Sequence, residues 1–467
     1  MSHPFAFADA ALAEDYSADD LPLRFEYTWQ HRNRGRHAEV ALRDGAMRCI
    51  DPATGELLTA KRAQVLPGEW ASIVYHFDGQ EPFALVTSSF DQAKVGLHFP
   101  GRDLFIPGNV DGNWIAIGED TIAAIRHHEQ HAQRQTWDGP AGAVLHLGFN
   151  NNLGHFMWND LSGLEAAIDA GWLKHVGAVV CGPHCVFPVE ALFPELAAAG
   201  VPVQHWRKPL PPLVDHGPDS LPLRVAGNRM SRTLRRRIVA WALEAEAPNL
   251  ASLAELNRPG LNLWCNLRLH NKAWVDQVEG IFGLAHSMAK ALSRVQPSGR
   301  ELHLLLDGTP DTSPLVAQLA EFLEGTATVT DATRIPLSRT IAMCGLVDLH
   351  LCVVGSGLTL PHWVMGRRGI AHSNQPHLGQ QRFWNNVAEG AHDVAFVPRT
   401  AVNDLDAPLT PDPSYVNYQL DALAVIPLLD ALYRQCDSGP RRSGFHQALQ
   451  LAAQGRFIDA ADRLISV

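Results

Sequence analysis

The apolar positions along the chain change their period near residue 140. Before that point, short runs such as SIVYHF (72–77), FALVTSSF (83–90), VGLHF (95–99) and DLFIPG (103–108) are separated by turn-forming residues and predict β-strands. HAEVALRDGAMRCIDPATGELL (37–58) predicts two short strands joined by a hairpin turn at Asp44-Gly45, then a second turn at Asp51-Pro52-Ala53-Thr54-Gly55. Residues 1–140 are therefore expected to be a β-rich N-terminal region with a structural or site-shaping role, because no catalytic cluster falls within it.

After residue 140 the pattern becomes strand, helix, strand. AVLHLGF (143–149), VGAVVCGP (176–183) and VPVQHW (201–206) read as strands, with helices at MWNDLSGLEAAIDAGWL (157–173) and PVEALFPELAAAG (188–200). The proline-rich KPLPPLVDHGPDSLPLRV (208–225) reads as an irregular connection, followed by the basic helix MSRTLRRRIVAWALEAEA (230–247) and a linker to Gly260. A second series opens with the strand LNLWCNL (261–267) and alternates through ELHLLLDG, ATVTDA, the run LSRTIAMCGLV (337–347), LHLCVVG and RGIAHSN, with helices at 273–295, 313–325 and after Gly357. Such alternation implies parallel sheets, so the fold class is α/β with two Rossmann-like domains. The C-terminal FHQALQLAAQGRFIDAADRLISV (445–467) reads as a helical hairpin packed on its own domain; it resembles half of a tetratricopeptide repeat, but one repeat cannot bury its apolar face alone. The expected organisation is 1–140, 141–257, 258–436 and 437–467. Ligands of open parallel sheets bind beyond the strands' carboxyl ends, which makes a cleft between the two α/β domains the expected site.

Composition narrows this picture. With 467 residues, 46% apolar and 19% charged, the chain is long enough for two or three cores. Its net charge of −11 argues against broad binding of duplex nucleic acid, though a local basic pocket is compatible with it. The seven cysteines, at 49, 181, 185, 265, 344, 352 and 436, are odd in number and lack disulfide-scaffold spacing, which points to a reducing compartment. The first twenty residues carry acids where a signal peptide needs a basic region, and no apolar run is long enough to span a membrane, so the expected location is cytoplasmic.

Three loops at expected strand ends carry candidate chemistry. The first is GFNNNLGHFMWND (148–160), where Asn151, Asn152 and Asn159 offer amides to hydroxyl groups, Gly154 permits close approach, and His155 can accept a proton near neutral pH; Asp160 is a rival base. The same asparagines would equally serve as helix caps, with the histidine bonding only backbone. The second is VGSGLT (354–359), where Gly355, Ser356 and Gly357 can bring backbone amides against a phosphate, followed by Leu358 and the Thr359 hydroxyl. It is neither a Walker A loop nor a GxGxxG fingerprint nor a nucleophile elbow. The third is RLHNK (268–272), whose Arg268, His270 and Lys272 would gather positive charge suited to a diphosphate, or form a solvated surface loop. Asp307 either contacts ligand at a strand end or begins a turn with Gly308. Cys181-Gly-Pro-His-Cys185 has one ligand pair only, which favours free thiols over a metal site.

On these residues the chain resembles glycosyltransferases of the GT-B fold, of the family-61 type. Asn152-Leu153-Gly154-His155 matches that group's early N-x-x-H segment, and Val354-Gly355-Ser356-Gly357-Leu358-Thr359 its late HGAGL-T/N loop, with valine in place of histidine and serine in place of alanine. The resemblance covers about residues 141–400. It implies a GT-B-like enzyme whose second domain (258–436) binds a nucleotide-sugar donor through Arg268, His270, Lys272, Asp307 and residues 355–359. The first domain (141–257) would bind a glycan or protein acceptor through Asn151, Asn152, Gly154 and Asn159, with His155 as general base and Asp160 as its rival. No D-x-D motif of the kind that holds a divalent ion against a nucleotide diphosphate is read in the candidate loops, so no metal and no cofactor are expected. No nucleic-acid partner and no membrane span are expected either, and a homo-oligomer is compatible. A carbohydrate-binding or scaffold protein with a transferase-like core is the alternative.

Overall fold

The computed structural model describes residues 36–68, 72–87, 94–107, 112–295, 301–405, 415–436 and 438–466; the acidic amino-terminal stretch lies outside them. The chain divides into two compact units, Met1–Asn228 and Arg229–Val467.

In the first unit, a helix α1 (Arg36–Asp44) replaces the first expected strand. Ala38, Ala41 and Leu42 are its buried positions, a spacing of three and four that fits one helix face, and Gly45 follows at φ +67. The second expected turn is present: β1 (Arg48–Ile50) and β2 (Leu57–Thr59) pair antiparallel across residues 51–56. Strands β3 (Arg62–Leu66), β4 (Ser72–Phe77), β5 (Phe83–Thr87), β6 (Lys94–Phe99) and β7 (Leu104–Pro107) form an antiparallel meander. A 19-residue helix that strand texture did not suggest, α2 (Gly112–Gln130), covers one face of it, with Ile117, Ile122 and Ile125 packing on Val74, Ala84, Val86 and Val95.

The β-rich region is not self-contained. Its sheet runs β7-β6-β5-β4-β3-β12-β8, and the last two strands are β12 (Val214–His216) and β8 (Gln135–Thr136). The parallel sheet beside it takes β9 (Gly142–Leu147), β10 (Val176–Cys181), β11 (Val203–His205) and β13 (Ser220–Leu223) in the order β11-β10-β9-β13. The proline-rich segment expected to be irregular thus supplies two strands. Pro222 is tolerated because β13 is an edge strand, and its carbonyl accepts the Tyr75 hydroxyl at 2.6 Å. Between β9 and β10 runs a helix α3 over residues 153–169, whose middle, Phe156–Leu161, is π-helical.

The second unit opens with α4 (Arg232–Ala245), capped by Ser231. Six parallel strands follow: β14 (Gly260–Asn266), β15 (Glu301–Asp307), β16 (Thr328–Asp331), β17 (Leu349–Val353), β18 (Gly369–His372) and β19 (Val394–Phe396). Their order is β16-β15-β14-β17-β18-β19, or 3-2-1-4-5-6 in chain sequence, which is the doubly wound Rossmann arrangement. Helices α5 (Gln277–Val295), α6 (Ser313–Phe322) and α7 (Leu337–Cys344) connect them, and α8 (356–364) leaves β17 with a π-helical part, Thr359–Val364. A short hairpin of β20 (Val402–Asp404) and β21 (Tyr418–Leu420) precedes α9 (Ala422–Arg434). The helices α10 (Ser438–Ala453) and α11 (Phe457–Ile465) form the expected hairpin. It is tied to this unit by Arg441, which pairs with Asp348, and by the Leu464 carbonyl, which accepts from Arg367 at 3.1 Å. Among the described residues no helix is long and apolar enough to cross a membrane.

Candidate functional site

In a doubly wound sheet the strand order reverses beside the first strand, and the loops leaving the two strands there diverge to opposite faces, opening a crevice. In the second unit those strands are β14 and β17. The loop after β14 carries Arg268 and Lys272, and the loop after β17 carries Val354, Gly355 and Ser356.

These groups meet. Arg268 Nη2 donates to Ser356 Oγ at 3.1 Å, while Lys272 Nζ donates to the Val354 carbonyl at 3.3 Å and lies 5.7 Å from the centre of the Tyr415 ring. Gly355 lies at φ +133, a conformation that side-chain-bearing residues rarely adopt. A Cβ added there would sit 3.2 Å from Lys272 Nζ and 4.0 Å from Arg268 Nη2, so the bare glycine backbone is what the two cations face. Gly357 is needed for a different reason: a Cβ there would fall 2.0 Å from Asn266 Oδ1.

The charge balance of this crevice is unusual. Lys272 is only 7% exposed, and its backbone is held in the left-handed region at φ +57. Burial, and next the Arg268 guanidinium, push its ammonium pKa down to about 7; burial lowers that of Arg268 as well. Among the described residues neither cation has a carboxylate partner. Asp307, the acid that ends β15, accepts from Asn266 Nδ2 at 3.2 Å, and burial pushes its carboxyl up to about 7. A buried ammonium beside a half-buried guanidinium is costly unless an anion joins them.

Other expected donor residues sit differently. His270 points to Asp311, with Nε2 2.9 Å from the carboxylate, and is exposed. Leu358 is fully buried, and the buried Thr359 hydroxyl donates to the Gly355 carbonyl at 3.3 Å, inside the helix. Three residues that the sequence reading passed over complete the wall. His377 Nε2 lies 3.5 Å from Lys272 Nζ, and its Nδ1 lies 2.7 Å from Asn374 Oδ1. The Tyr415 carbonyl accepts from Lys272 N at 3.1 Å. Asn374 ends the strand-like run RGIAHSN and could have been weighed as a strand-end polar residue; Tyr415 is 143 positions from Lys272 in the sequence, and nothing local marks it.

The first unit repeats the topology in shorter form: β9 and β13 flank the reversal, and their carboxyl ends carry residues 148–155 and 224–227. Asn152 caps α3, its Oδ1 accepting from Gly154 N at 2.9 Å and His155 N at 3.3 Å, while Asn150 Oδ1 accepts from Asn152 N at 2.8 Å. Asn151 is exposed and Gly154 buried. The His155 ring does more than bond backbone. Its Nδ1 lies 2.8 Å from Asn159 Oδ1, and Asn159 Nδ2 donates to the Gly227 carbonyl at 3.1 Å. Because that amide oxygen can only accept, Nδ1 carries the proton and a neutral ring presents Nε2 as its basic atom. Asp160 is buried behind this loop, with one oxygen on Arg224 Nη2 at 2.8 Å and the other on Gly148 N at 2.7 Å. Both of its oxygens are engaged in holding the loop to β13.

The seven cysteines are free, and among the described residues no three His, Cys, Asp or Glu side chains are grouped to hold a metal. No protein-family profile and no curated protein matches the chain. Among solved structures it is similar to ADP-heptose LPS heptosyltransferase II of E. coli, at 13% identity over 63% of this chain and 99% of that one, with a TM-score of 0.35. It is also similar to a family 9 glycosyl transferase from Veillonella parvula, at 10% identity over 64% and 100% with a TM-score of 0.36. A third is the E. coli heptosyltransferase WaaC with ADP, at 15% identity over 62% and 98% with a TM-score of 0.31.

Proposed function

We propose that this protein is a glycosyltransferase that takes a sugar from a nucleotide-sugar donor bound in the second unit and passes it to a glycan or protein acceptor. The observation that carries this reading is the pair of cations, the half-buried Arg268 and the buried Lys272, gathered without a carboxylate among the described residues against the bare backbone of Gly355 at the switch point of the sheet. A diphosphate supplies the missing negative charge, and as a leaving group it gains negative charge during transfer, which fixed cations stabilise without reorganising. Arg268 and Lys272 would fill the role that a divalent ion fills elsewhere, so the reading is metal-independent. His155 is the base in this proposal: Asn159 fixes its tautomer, and Nε2 takes the proton of the acceptor hydroxyl. Asp160 then acts as a strut through Arg224 rather than as a second base.

Calorimetric titration with UDP, GDP, dTDP and ADP tests the donor site. At least one should bind, and Arg268→Ala should weaken it by about 1.5–3 kcal/mol, the value of a charged hydrogen bond. Transfer or donor hydrolysis should persist in EDTA. If none of the four nucleotides binds, the reading is wrong; a donor that binds and never turns over would favour a non-catalytic binding protein.

A further inference from the structure

We infer that His377 is a positioning residue: held in one tautomer by Asn374, its imidazole presents a lone pair that aims the Lys272 ammonium at Gly355. The inference deepens the proposed donor site and rests on that reading for its ligand, though not for its geometry.

A chain of hydrogen bonds ends at Lys272. Asn374 is fully buried and its Nδ2 donates to the Val416 carbonyl at 3.1 Å, which fixes the amide orientation and leaves Oδ1 to accept. Oδ1 faces His377 Nδ1 at 2.7 Å, so Nδ1 carries the hydrogen and Nε2 is the acceptor of the neutral ring. Nε2 faces Lys272 Nζ at 3.5 Å. With the Val354 carbonyl at 3.3 Å, two acceptors from separate elements set the direction of the ammonium, and Nζ ends 3.2 Å from where a Cβ of Gly355 would lie.

An acceptor on an ammonium favours its charged form. Lys272 needs that support, because burial and Arg268 both act to discharge it. The groups facing it are Arg268 on its own loop, His377 on the helix Gln375–Leu378, the Tyr415 ring ahead of β21 and the main chain at Val354; among the described residues none is a carboxylate. The sign of the pH effect follows. With burial and Arg268 holding the Lys272 ammonium down to about 7, a diphosphate bound above that pH brings a proton with it, and its affinity should fall by up to about tenfold per pH unit. Without the imidazole lone pair the fall should begin at lower pH.

The test compares wild type, His377→Leu and His377→Gln, where glutamine keeps an acceptor and leucine does not. Pyrophosphate and UDP are titrated from pH 6 to 9 after thermal melts confirm folding. In parallel, acylation of the Lys272 amine in ligand-free protein is followed against pH by peptide mass spectrometry. His377→Leu should move both midpoints to lower pH and weaken binding at pH 7.5 roughly tenfold, the effect of about one pH unit; His377→Gln should restore most of it. Identical acylation midpoints in all three proteins, or equal losses in both variants with no change in pH profile, would overturn the inference. Absence of anion binding in wild type would instead remove the donor-site reading, since the acylation midpoints report on His377 without any ligand.

Discussion

His155 and His377 are oriented by the same device: Nδ1 faces an asparagine oxygen, and that asparagine's amide donates to a main-chain carbonyl, Gly227 in one case and Val416 in the other. Asparagine, unlike aspartate, orients the ring without adding a negative charge beside it, and its oxygen on Nδ1 leaves Nε2 as the acceptor of the neutral tautomer. Replacing His155 by alanine should lower kcat by roughly 10²–10⁴ at saturating donor and leave nucleotide affinity and melting temperature near wild type. Asp160→Asn should show the opposite pattern, a loss of about 3–5 kcal/mol of stability, because the Arg224 guanidinium is left buried without its partner. Denaturant melts and initial rates on the same two variants separate the roles; a His155→Ala enzyme with wild-type turnover would leave the ring only its place beside the helix cap.

At the scale of elements, both units leave a switch-point strand through a polar loop into a helix with a π-helical stretch, Phe156–Leu161 in one and Thr359–Val364 in the other. Such stretches are rare and frequent at functional sites, since the extra residue per turn shifts the side chains that follow. Nothing in the apolar spacing announces them. The C-terminal hairpin is likewise anchored by a pair that spacing cannot show: Arg441 Nη2 meets Asp348 Oδ2 at 2.8 Å, with both residues buried, and Arg441 also donates to the Leu346 carbonyl. Arg441→Met should therefore destabilise the protein by about 3–5 kcal/mol, measured by urea unfolding, because the Asp348 carboxyl stays buried without its cation. A change below about 1 kcal/mol, as for an exposed pair, would show that the hairpin is held by apolar contact alone.

For the whole molecule, the contact boundary at residues 228 and 229 assigns α4 to the second unit, where the helical hairpin packs on it, although the alternation of elements suggested the first. The second unit has its own apolar core, built from Leu261, Leu263, Leu304, Leu306, Leu349, Leu351 and Ile370 on the sheet and Trp274, Ile281, Leu284 and Leu429 beside it. A fragment spanning 229–467 is expected to fold and to bind the same nucleotide within about tenfold of the full chain, since burial of this size stabilises by roughly 1.5–3 kcal/mol per large side chain. Circular dichroism and calorimetry of the fragment measure this. Failure to fold would show that the core depends on residues before 229.

By itself the sequence determined what depends on neighbours within a few residues. The α/β alternation, the two polar loops at strand ends, Asn152 as a cap, and the presence of Arg268 and Lys272 after a buried strand are all local matters, settled by period, turn chemistry and side-chain type. The reading failed where a partner distant in sequence decided the outcome. HAEVAL became a helix because Ala38, Ala41 and Leu42 bury one face, and SLPL became a strand because β9 offered an edge on which a proline costs nothing. The tertiary structure alone placed Asp160 on Arg224, turned His270 toward Asp311, and closed the Lys272 crevice with His377 and Tyr415, over 100 positions away. A parallel sheet joins strands far apart in the chain, so the residues that share a switch point are set by strand order, which no window of sequence contains.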